Sequence, residues 1–210
     1  NGVQLDELTV ELLGEPERSV DLVSAYLIPG DAGARDLEAL MSRGVRVRLL
    51  TNSLEATDVP PVHSAWMGYR NRLVRAGAEV LELRGQPDLP GSTSLAQLLA
   101  GSQSSLHAKT FAVDGARIFI GSFNFDPRSV SLNTEMGFLI DSPAIASNLS
   151  AALDRSEIFY RVTEGPDGAI QWQGTGPDGE AVTWLQEPRT SAIERGLVRF
   201  MSWLPIEWIL

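Results

Sequence analysis

A short segment in the middle of the chain carries residue types that suit phosphoryl transfer. His107 and Lys109 are two residues apart, and Ser122 and Asn124 follow at the same spacing. A histidine can act as a nucleophile or as a general acid, and a lysine ammonium group neutralises phosphate as a point charge. Serine and asparagine can donate hydrogen bonds to phosphoryl oxygens on which charge develops. These residues therefore predict a phosphate site.

A β-hairpin is the element that would position these side chains. Two β-rich runs, 109–113 and 117–122, flank the dipeptide Asp114-Gly115, which favours a type I′ turn. Because alternate residues of a strand share a face, we expect His107 and Lys109 on the same side of the hairpin.

The length of the turn decides which residues face each other across the hairpin. A two-residue turn pairs Val113 with Ala116 and places His107 opposite Ser122. The histidine, lysine, serine and asparagine side chains then converge at the open end. A shift of one residue would move them to opposite faces.

A carboxylate is also expected near this site. Glu135 begins the next predicted strand, 135–140. A carboxylate there can hold one imidazole nitrogen of His107 and leave the other free to react.

Helices and strands alternate in the first part of the chain. Strands are predicted at 20–25, 45–50 and 78–83, and helices at 35–43 and 62–76. This alternation favours parallel pairing with crossover helices, and hence an α/β sandwich. A long loop with a short helix at 95–99 is predicted over 85–103.

The last third is predicted to be a helix, a small β-meander and a terminal helix. The predicted elements are a helix at 143–154, strands at 160–164, 170–174 and 182–187, and a helix from 191 to the residue before Pro205. Two Gly-Pro-Asp-Gly turns separate the strands of the meander.

The composition excludes several classes of protein. A hydrophobic fraction of 43% and a charged fraction of 21% are typical of a globular chain, whereas a net charge of −10 disfavours general nucleic-acid binding. The absence of cysteine excludes disulfides, and two histidines exclude an all-histidine metal site. No run of 18 apolar residues or signal peptide is visible. Because the chain opens at Asn1 without a start methionine, we interpret it as a fragment or a processed product.

The string His107-x-Lys109-x(4)-Asp114-x(6)-Gly121-Ser122-x-Asn124 resembles the HKD signature of the phospholipase D superfamily at every position. The resemblance implies an α-β-α sandwich with a mixed central sheet and chemistry without a metal or other cofactor. It also implies roles for the motif residues: phosphate contact for His107, Lys109 and Asn124, support for Ser122, a structural part for Asp114 and Gly121, and orientation of the histidine by Glu135.

The flanking segments are similar to the C-terminal half of bacterial cardiolipin synthases, most of all the ClsC type. The similar segments are residues 51–54, 106–111, 121–129, 132–137 and 204–208, with the helix that contains His63, Tyr69 and Arg70. This resemblance implies phosphatidyl transfer between phospholipids, with a phospholipid as substrate and no nucleic acid as partner. It also implies peripheral attachment at the cytoplasmic face of the bacterial inner membrane.

Enzymes of this family combine two HKD motifs. One histidine attacks phosphorus to form a phosphohistidine, and the other protonates the leaving group. This chain has one motif, because Ala65 stands where a lysine would have to follow His63. The resemblance therefore implies that residues 1–210 form one catalytic half-domain, inactive alone and completed by an N-terminal half of a longer protein or by a second copy. It suggests that the N-terminal motif supplies the nucleophile, which would make His107 the acid.

Several alternatives stay open at this point. The chain could be a single-motif, homodimeric phosphodiesterase or nuclease of the same superfamily, or a phosphate-binding half without catalysis. The helix with His63, Tyr69 and Arg70 could be a partly exposed face or the wall of a substrate cleft. Arg128 could belong to a helix start capped by Asp126, or it could bind a lipid phosphate. The apolar terminal helix could dock on the core or touch a membrane interface.

Overall fold

A computed structural model describes residues 14–85, 105–126, 136–154, 158–176 and 178–204. The strands in chain order are β1 (Ser19–Ser24), β2 (Arg46–Asn52), β3 (Glu79–Leu83), β4 (Lys109–Val113), β5 (Arg117–Gly121), β6 (Gly137–Asp141), β7 (Phe159–Glu164), β8 (Ile170–Thr175) and β9 (Ala181–Trp184). The helices are α1 (Gly30–Ser42), α2 (Pro60–Ala76), α3 (Pro143–Leu153) and α4 (Ala192–Met201).

The described strands form one mixed sheet in the order β6-β5-β4-β1-β2-β3-β7-β8-β9. β1, β2 and β3 are parallel, as the alternation of helices and strands predicts, and β4 runs antiparallel to β1. Helix α3 packs behind β4 and β5, and the cluster around Leu50 and Leu153 forms the core on that side. Helices α1 and α2 cover the opposite face. The predicted α-β-α sandwich with a mixed sheet is confirmed.

The predicted meander is present, and it extends the central sheet. β7 pairs antiparallel with β3, for example Val80 with Val162, and β8 and β9 continue from β7 by antiparallel pairing. Trp172 on β8 and Tyr160 on β7 contribute to the same hydrophobic core as α2. The strands after α3 therefore form the end of the sheet that lies opposite to the β4–β5 hairpin.

The turn between β4 and β5 is one residue longer than predicted. Asp114 and Gly115 both have positive φ, 56° and 62°, and the amide of Ala116 donates to the carbonyl of Val113 at 3.0 Å, as in a type I′ turn. The ladder, however, pairs Val113 with Arg117. The predicted two-residue register is wrong because Ala116 is an extra, unpaired residue on the β5 side, the feature that defines a bulge.

Other predicted boundaries differ by small amounts. Helix α1 begins at Gly30, five residues before the predicted start, directly after Pro29 in a helical conformation. The predicted helix at 95–99 and nearly all of the predicted loop lie outside the described residues. Within the described ranges, no helix is long and apolar enough to cross a bilayer.

Candidate active site

The residues of the predicted phosphate site lie at one edge of the sheet. This edge contains the carboxyl ends of β1, β2 and β3, the start of β4 and the end of β5. Ser24, the last residue of β1, pairs with Lys109, the first residue of β4. The carboxyl ends of parallel strands are the usual place for a binding site in an open α/β sheet.

Ser24 joins the two parts of the motif. Its hydroxyl donates to the carbonyl of Tyr26 at 2.6 Å and accepts from the amide of Phe125 at 3.0 Å. Because Ser24 also pairs with Lys109, it brings the start of β4 and the segment after β5 together at the end of β1. No local sequence signal marks this buried residue, because its partner Phe125 lies 101 positions away in the chain.

His107 and Lys109 differ in their exposure to solvent. His107 precedes β4 and is exposed, whereas Lys109 is buried. The ammonium group of Lys109 donates to the carbonyl of His107 at 3.0 Å. The lysine charge is therefore held beside the backbone of the histidine, and the imidazole remains open to a substrate.

Asn124 has an unsatisfied polar atom. Its carboxamide oxygen is removed from solvent and has no hydrogen-bond partner among the described residues. Since an unpartnered buried acceptor costs about 1–3 kcal/mol, this position is costly in the free chain. A ligand that donates a hydrogen bond to this oxygen would offset that cost.

Ser122 holds the neighbouring strand. Its amide donates to the carbonyl of Met136 at 2.9 Å, and its hydroxyl accepts from the amide of Met136 at 3.1 Å. These contacts hold the residue directly after Glu135. Glu135 and Arg128 themselves lie outside the described residues.

Gly121 permits a close approach of β5 and β6. A Cβ atom built on it would stand 2.6 Å from the carbonyl oxygen of Met136 and 2.8 Å from the ring of Phe119. Gly137, its partner in the ladder, lies under the same ring. Any larger residue at Gly121 would displace the strand that leads away from the site.

Asp114 lies at the opposite end of β4 from the site. One carboxylate oxygen accepts from the amides of Arg18 and Ser19 at 2.7 and 2.9 Å, and the amide of Glu17 also donates to the carboxylate. Partial burial acts to raise the pKa of Asp114, but these amides outweigh it and lower the pKa. Asp114 thus anchors the hairpin turn to the segment that enters β1.

Asn52 is a second buried residue that positions the site. Its side-chain oxygen accepts from the amide of Leu106 at 2.7 Å, and its nitrogen donates to the carbonyls of Leu106 and Ala25 at 3.4 Å. Asn52 is the last residue of β2, so it ties the residue before His107 to the parallel core. In the sequence, Asn52 belongs to the segment 51–54 that is similar to cardiolipin synthases, but nothing there marks its contact with Leu106.

We expect Asn52→Ala to weaken phosphate binding at His107 about fivefold, because the backbone next to the imidazole loses its anchor. The lost hydrogen bonds should also lower the free energy of unfolding by about 1–3 kcal/mol. With two histidines in the chain, imidazole NMR during a phosphate titration separates the site from the background: His107 signals should move and His63 signals should stay.

Asn148→Ala, on the exposed surface of α3, is the matched control and should leave the phosphate titration unchanged. If Asn52→Ala binds phosphate as the unsubstituted chain does, Asn52 has no positioning role.

The face of α2 that carries His63, Tyr69 and Arg70 is buried, so its interpretation as a partly exposed face is wrong. His63 and Arg70 are each 2% exposed, and Tyr69 belongs to the hydrophobic core. The interpretation as an exposed face is wrong because β7–β9 and the segment with Glu187 cover α2.

Arg70 lies at the centre of a buried cluster of polar side chains. Its guanidinium donates to Glu82 at 3.1 Å and to Glu187 at 2.7 Å, and it stacks 4.8 Å from the ring centre of Trp172. His63 lies 3.4 Å from Glu187. Burial lowers the pKa of Arg70, but the two carboxylates outweigh it and raise the pKa. This geometry directs the charge of Arg70 into the interior.

Comparison with known proteins identifies the family. The family profile described as "Cardiolipin synthase, PLD-like domain" matches residues 9–156. Cardiolipin synthase C of Escherichia coli K12 is 38% identical over 208 residues, which cover 98% of this chain and 44% of that protein. The chain therefore spans less than half the length of this relative.

Two solved structures have a similar fold. Nuc from Salmonella typhimurium, described as a phospholipase D family member, aligns with a TM-score of 0.54 and 21% identity, covering 74% of this chain and 89% of its own. Phosphatidylserine synthase of Haemophilus influenzae aligns with a TM-score of 0.58 and 14% identity, covering all of this chain and 44% of its own. The family profile and the 38% identical relative place the chain in the phospholipase D-like cardiolipin synthase family.

Proposed function

We propose that this chain supplies one of the two HKD half-sites of an enzyme that transfers a phosphatidyl group between phospholipids through a phosphohistidine. The observation that carries the proposal is the arrangement at the sheet edge: an exposed His107 and a buried Lys109, whose ammonium lies 3.0 Å from the carbonyl of His107. These groups can bind a phosphodiester and give or take a proton.

The partner in this proposal is a second half-site. One imidazole attacks phosphorus and breaks its bond to the leaving oxygen, while the other gives that oxygen a proton. An alcohol of the acceptor lipid then gives its proton back to the second imidazole and attacks the phosphohistidine, which breaks the N–P bond and restores the free first imidazole. His107 performs one of these steps, while the ammonium of Lys109 and the amide NH2 of Asn124 donate to the phosphate oxygens. The family resemblance assigns to Glu135 the orientation of His107.

The second half-site comes from the remainder of a longer protein. The chain's match to 44% of cardiolipin synthase C supports this assignment. Residues 1–210 are then one catalytic half-domain. The enzyme works on lipid at the cytoplasmic face of the inner membrane, as a peripheral protein, and needs no metal.

The purified chain should therefore show no turnover of phosphatidylglycerol vesicles, because one histidine is missing. A chimera of E. coli cardiolipin synthase C, in which this chain replaces the 44% that it matches, should make cardiolipin. Mass spectrometry of extracted lipids measures both.

The purified chain is also given single-stranded DNA as a second test substrate. Cleavage that rises with the square of chain concentration would show a homodimeric nuclease and contradict the lipid proposal. Turnover of phosphatidylglycerol by a monomer would contradict the requirement for two half-sites. A folded chimera without any cardiolipin would contradict the choice of reaction.

A further inference from the structure

Helix α4 presents an apolar face to solvent. Four large apolar side chains are exposed along it and the turn that follows: Ile193 by 83%, Leu197 by 54%, Phe200 by 60% and Trp203 by 80%. The first three are spaced at i, i+4 and i+7, so they lie along one side of the helix. An exposed stripe of this kind indicates an interaction surface.

The position of α4 on the protein is well defined. Ser191 and Glu194 form a capping box at its start, and the guanidinium of Arg195 donates to the carbonyl of Thr190. On the opposite side from the stripe, Val198 is buried and the helix contacts α2. The apolar stripe therefore faces outward from a helix that is already anchored.

The side chains of α4 carry a net charge of +1, from two arginines and one glutamate, whereas the whole chain has a net charge of −10. Arg195 and Arg199 are the basic residues of α4, and Glu194 is its acidic residue. The carboxylate of Glu194 accepts from the amide of Ser191 at 2.6 Å. The guanidinium of Arg199 makes no hydrogen bond or ion pair with any described residue. This local charge is complementary to an anionic surface.

The stripe ends near the edge of the sheet that carries His107. A cavity of about 520 Å³ is lined by Arg199 and Trp203 together with Asp31 and Ser64 from the first turns of α1 and α2. Those helices begin where the chain leaves the carboxyl ends of β1 and β2. The end of α4 is therefore close to the end of the molecule where the phosphate site lies.

We propose that α4 lies along an anionic lipid bilayer, with Ile193, Leu197 and Phe200 at the boundary of the acyl chains. A helix with one apolar face and a basic flank binds at a membrane interface in this way, and Trp203 suits the level of the headgroups. The inference rests on the proposed function, because a lipid substrate requires the catalytic edge to meet a bilayer.

This chain has a different apolar surface, next to the motif, that the second half-site can contact. Phe138 and Met136 on and beside the edge strand β6 are 67% and 73% exposed, and Met136 bonds to Ser122. The proposal therefore assigns the second half-site to β6 and the bilayer to α4.

The test is flotation of the 210-residue chain with lipid vesicles. Flotation measures binding and does not depend on catalytic turnover. We expect binding to phosphatidylglycerol vesicles and at least tenfold weaker binding to phosphatidylcholine vesicles. Leu197→Glu should weaken the first at least tenfold, and Arg199→Gln about fivefold, since one arginine near an anionic surface contributes about that factor. Phe138→Glu, an exposed apolar residue on β6, should bind vesicles as the unsubstituted chain does.

The circular dichroism spectrum and the response of His107 to phosphate should be unchanged in Leu197→Glu. A loss of lipid binding is then distinguishable from a loss of the phosphate site. Equal vesicle binding by the unsubstituted chain and Leu197→Glu would overturn the inference. Light scattering gives the remaining outcome: a dimer of the chain that Leu197→Glu converts to a monomer would make α4 a protein interface and reject the bilayer.

Discussion

His107→Asn in the chimeric enzyme should lower cardiolipin formation by at least about a thousandfold, since proton transfer alone contributes about 10²–10⁴. An asparagine side chain can neither attack phosphorus nor protonate a leaving oxygen. His107 is exposed and precedes β4, so a substitution of similar size removes little packing. The free energy of unfolding should change by no more than about 0.5 kcal/mol.

A trapping experiment separates the two chemical roles. If His107 is the acid, the variant still forms an adduct on the other histidine when the substrate has a leaving group that needs no proton. If His107 is the nucleophile, no adduct forms with any substrate. Intact-protein mass spectrometry detects the adduct, and an unchanged rate with the natural lipid would remove His107 from the mechanism.

Arg70→Met should lower the free energy of unfolding by about 3–5 kcal/mol, the usual effect of removing one partner from a buried ion pair. Arg70 is 2% exposed and bonds to both Glu82 and Glu187. Without it, two carboxylates remain in the interior without their cation. Urea unfolding measures the loss.

Arg72→Met is the matched control on the same helix. The guanidinium of Arg72 pairs with Glu38 at 2.6 Å, and its side chain is 33% exposed. Exposed pairs contribute about 0–1 kcal/mol, so the two arginines should differ by several kcal/mol. Similar losses for both variants would contradict the assignment of the buried cluster as a principal source of stability.

The same cluster predicts a dependence of stability on pH. Burial raises the pKa of Glu187, but the charge of Arg70 and the contact with His63 outweigh it and lower the pKa from 4.5 to about 2. Because the folded pKa is the lower one, this stabilisation is fully present above pH 4.5 and is lost as the pH falls towards 2. Over that range, Arg70→Met should lose less stability with falling pH than the unsubstituted chain does.

The sequence predicted those parts of the fold that depend on local pattern. The alternation of β1, α1, β2, α2 and β3 follows from apolar spacing and from the glycines after helices, and most boundaries agree within about two residues. The dipeptide Asp114-Gly115 predicted the hairpin. It did not predict the register, because the same dipeptide fits a turn with the extra residue Ala116 and a turn without it.

Contacts between distant residues could not be predicted. Arg48 is fully buried and bonds to Asp21 at 2.6 Å between two strands that otherwise look continuous and apolar. Neither residue carries a local signal of its partner. Asn52 and Ser24 belong to the same class, since their roles at the site depend on how β4 and the segment after β5 approach the parallel strands. The residue types that are proposed to do the chemistry were visible in the sequence, whereas the residues that position them were not.

The anchoring of Asp114 should fix the number of residues between Lys109 and the hairpin turn. Lys109 lies at one edge of the sheet beside Ser24, and Asp114 binds the amides before β1 at the other. The five residues of β4 between these edges span about 17 Å. Substitutions at 110–113 that keep the strand apolar should be tolerated, whereas inserting or deleting one residue there would shift Lys109 by a full strand position, about 3.3 Å, away from the phosphate.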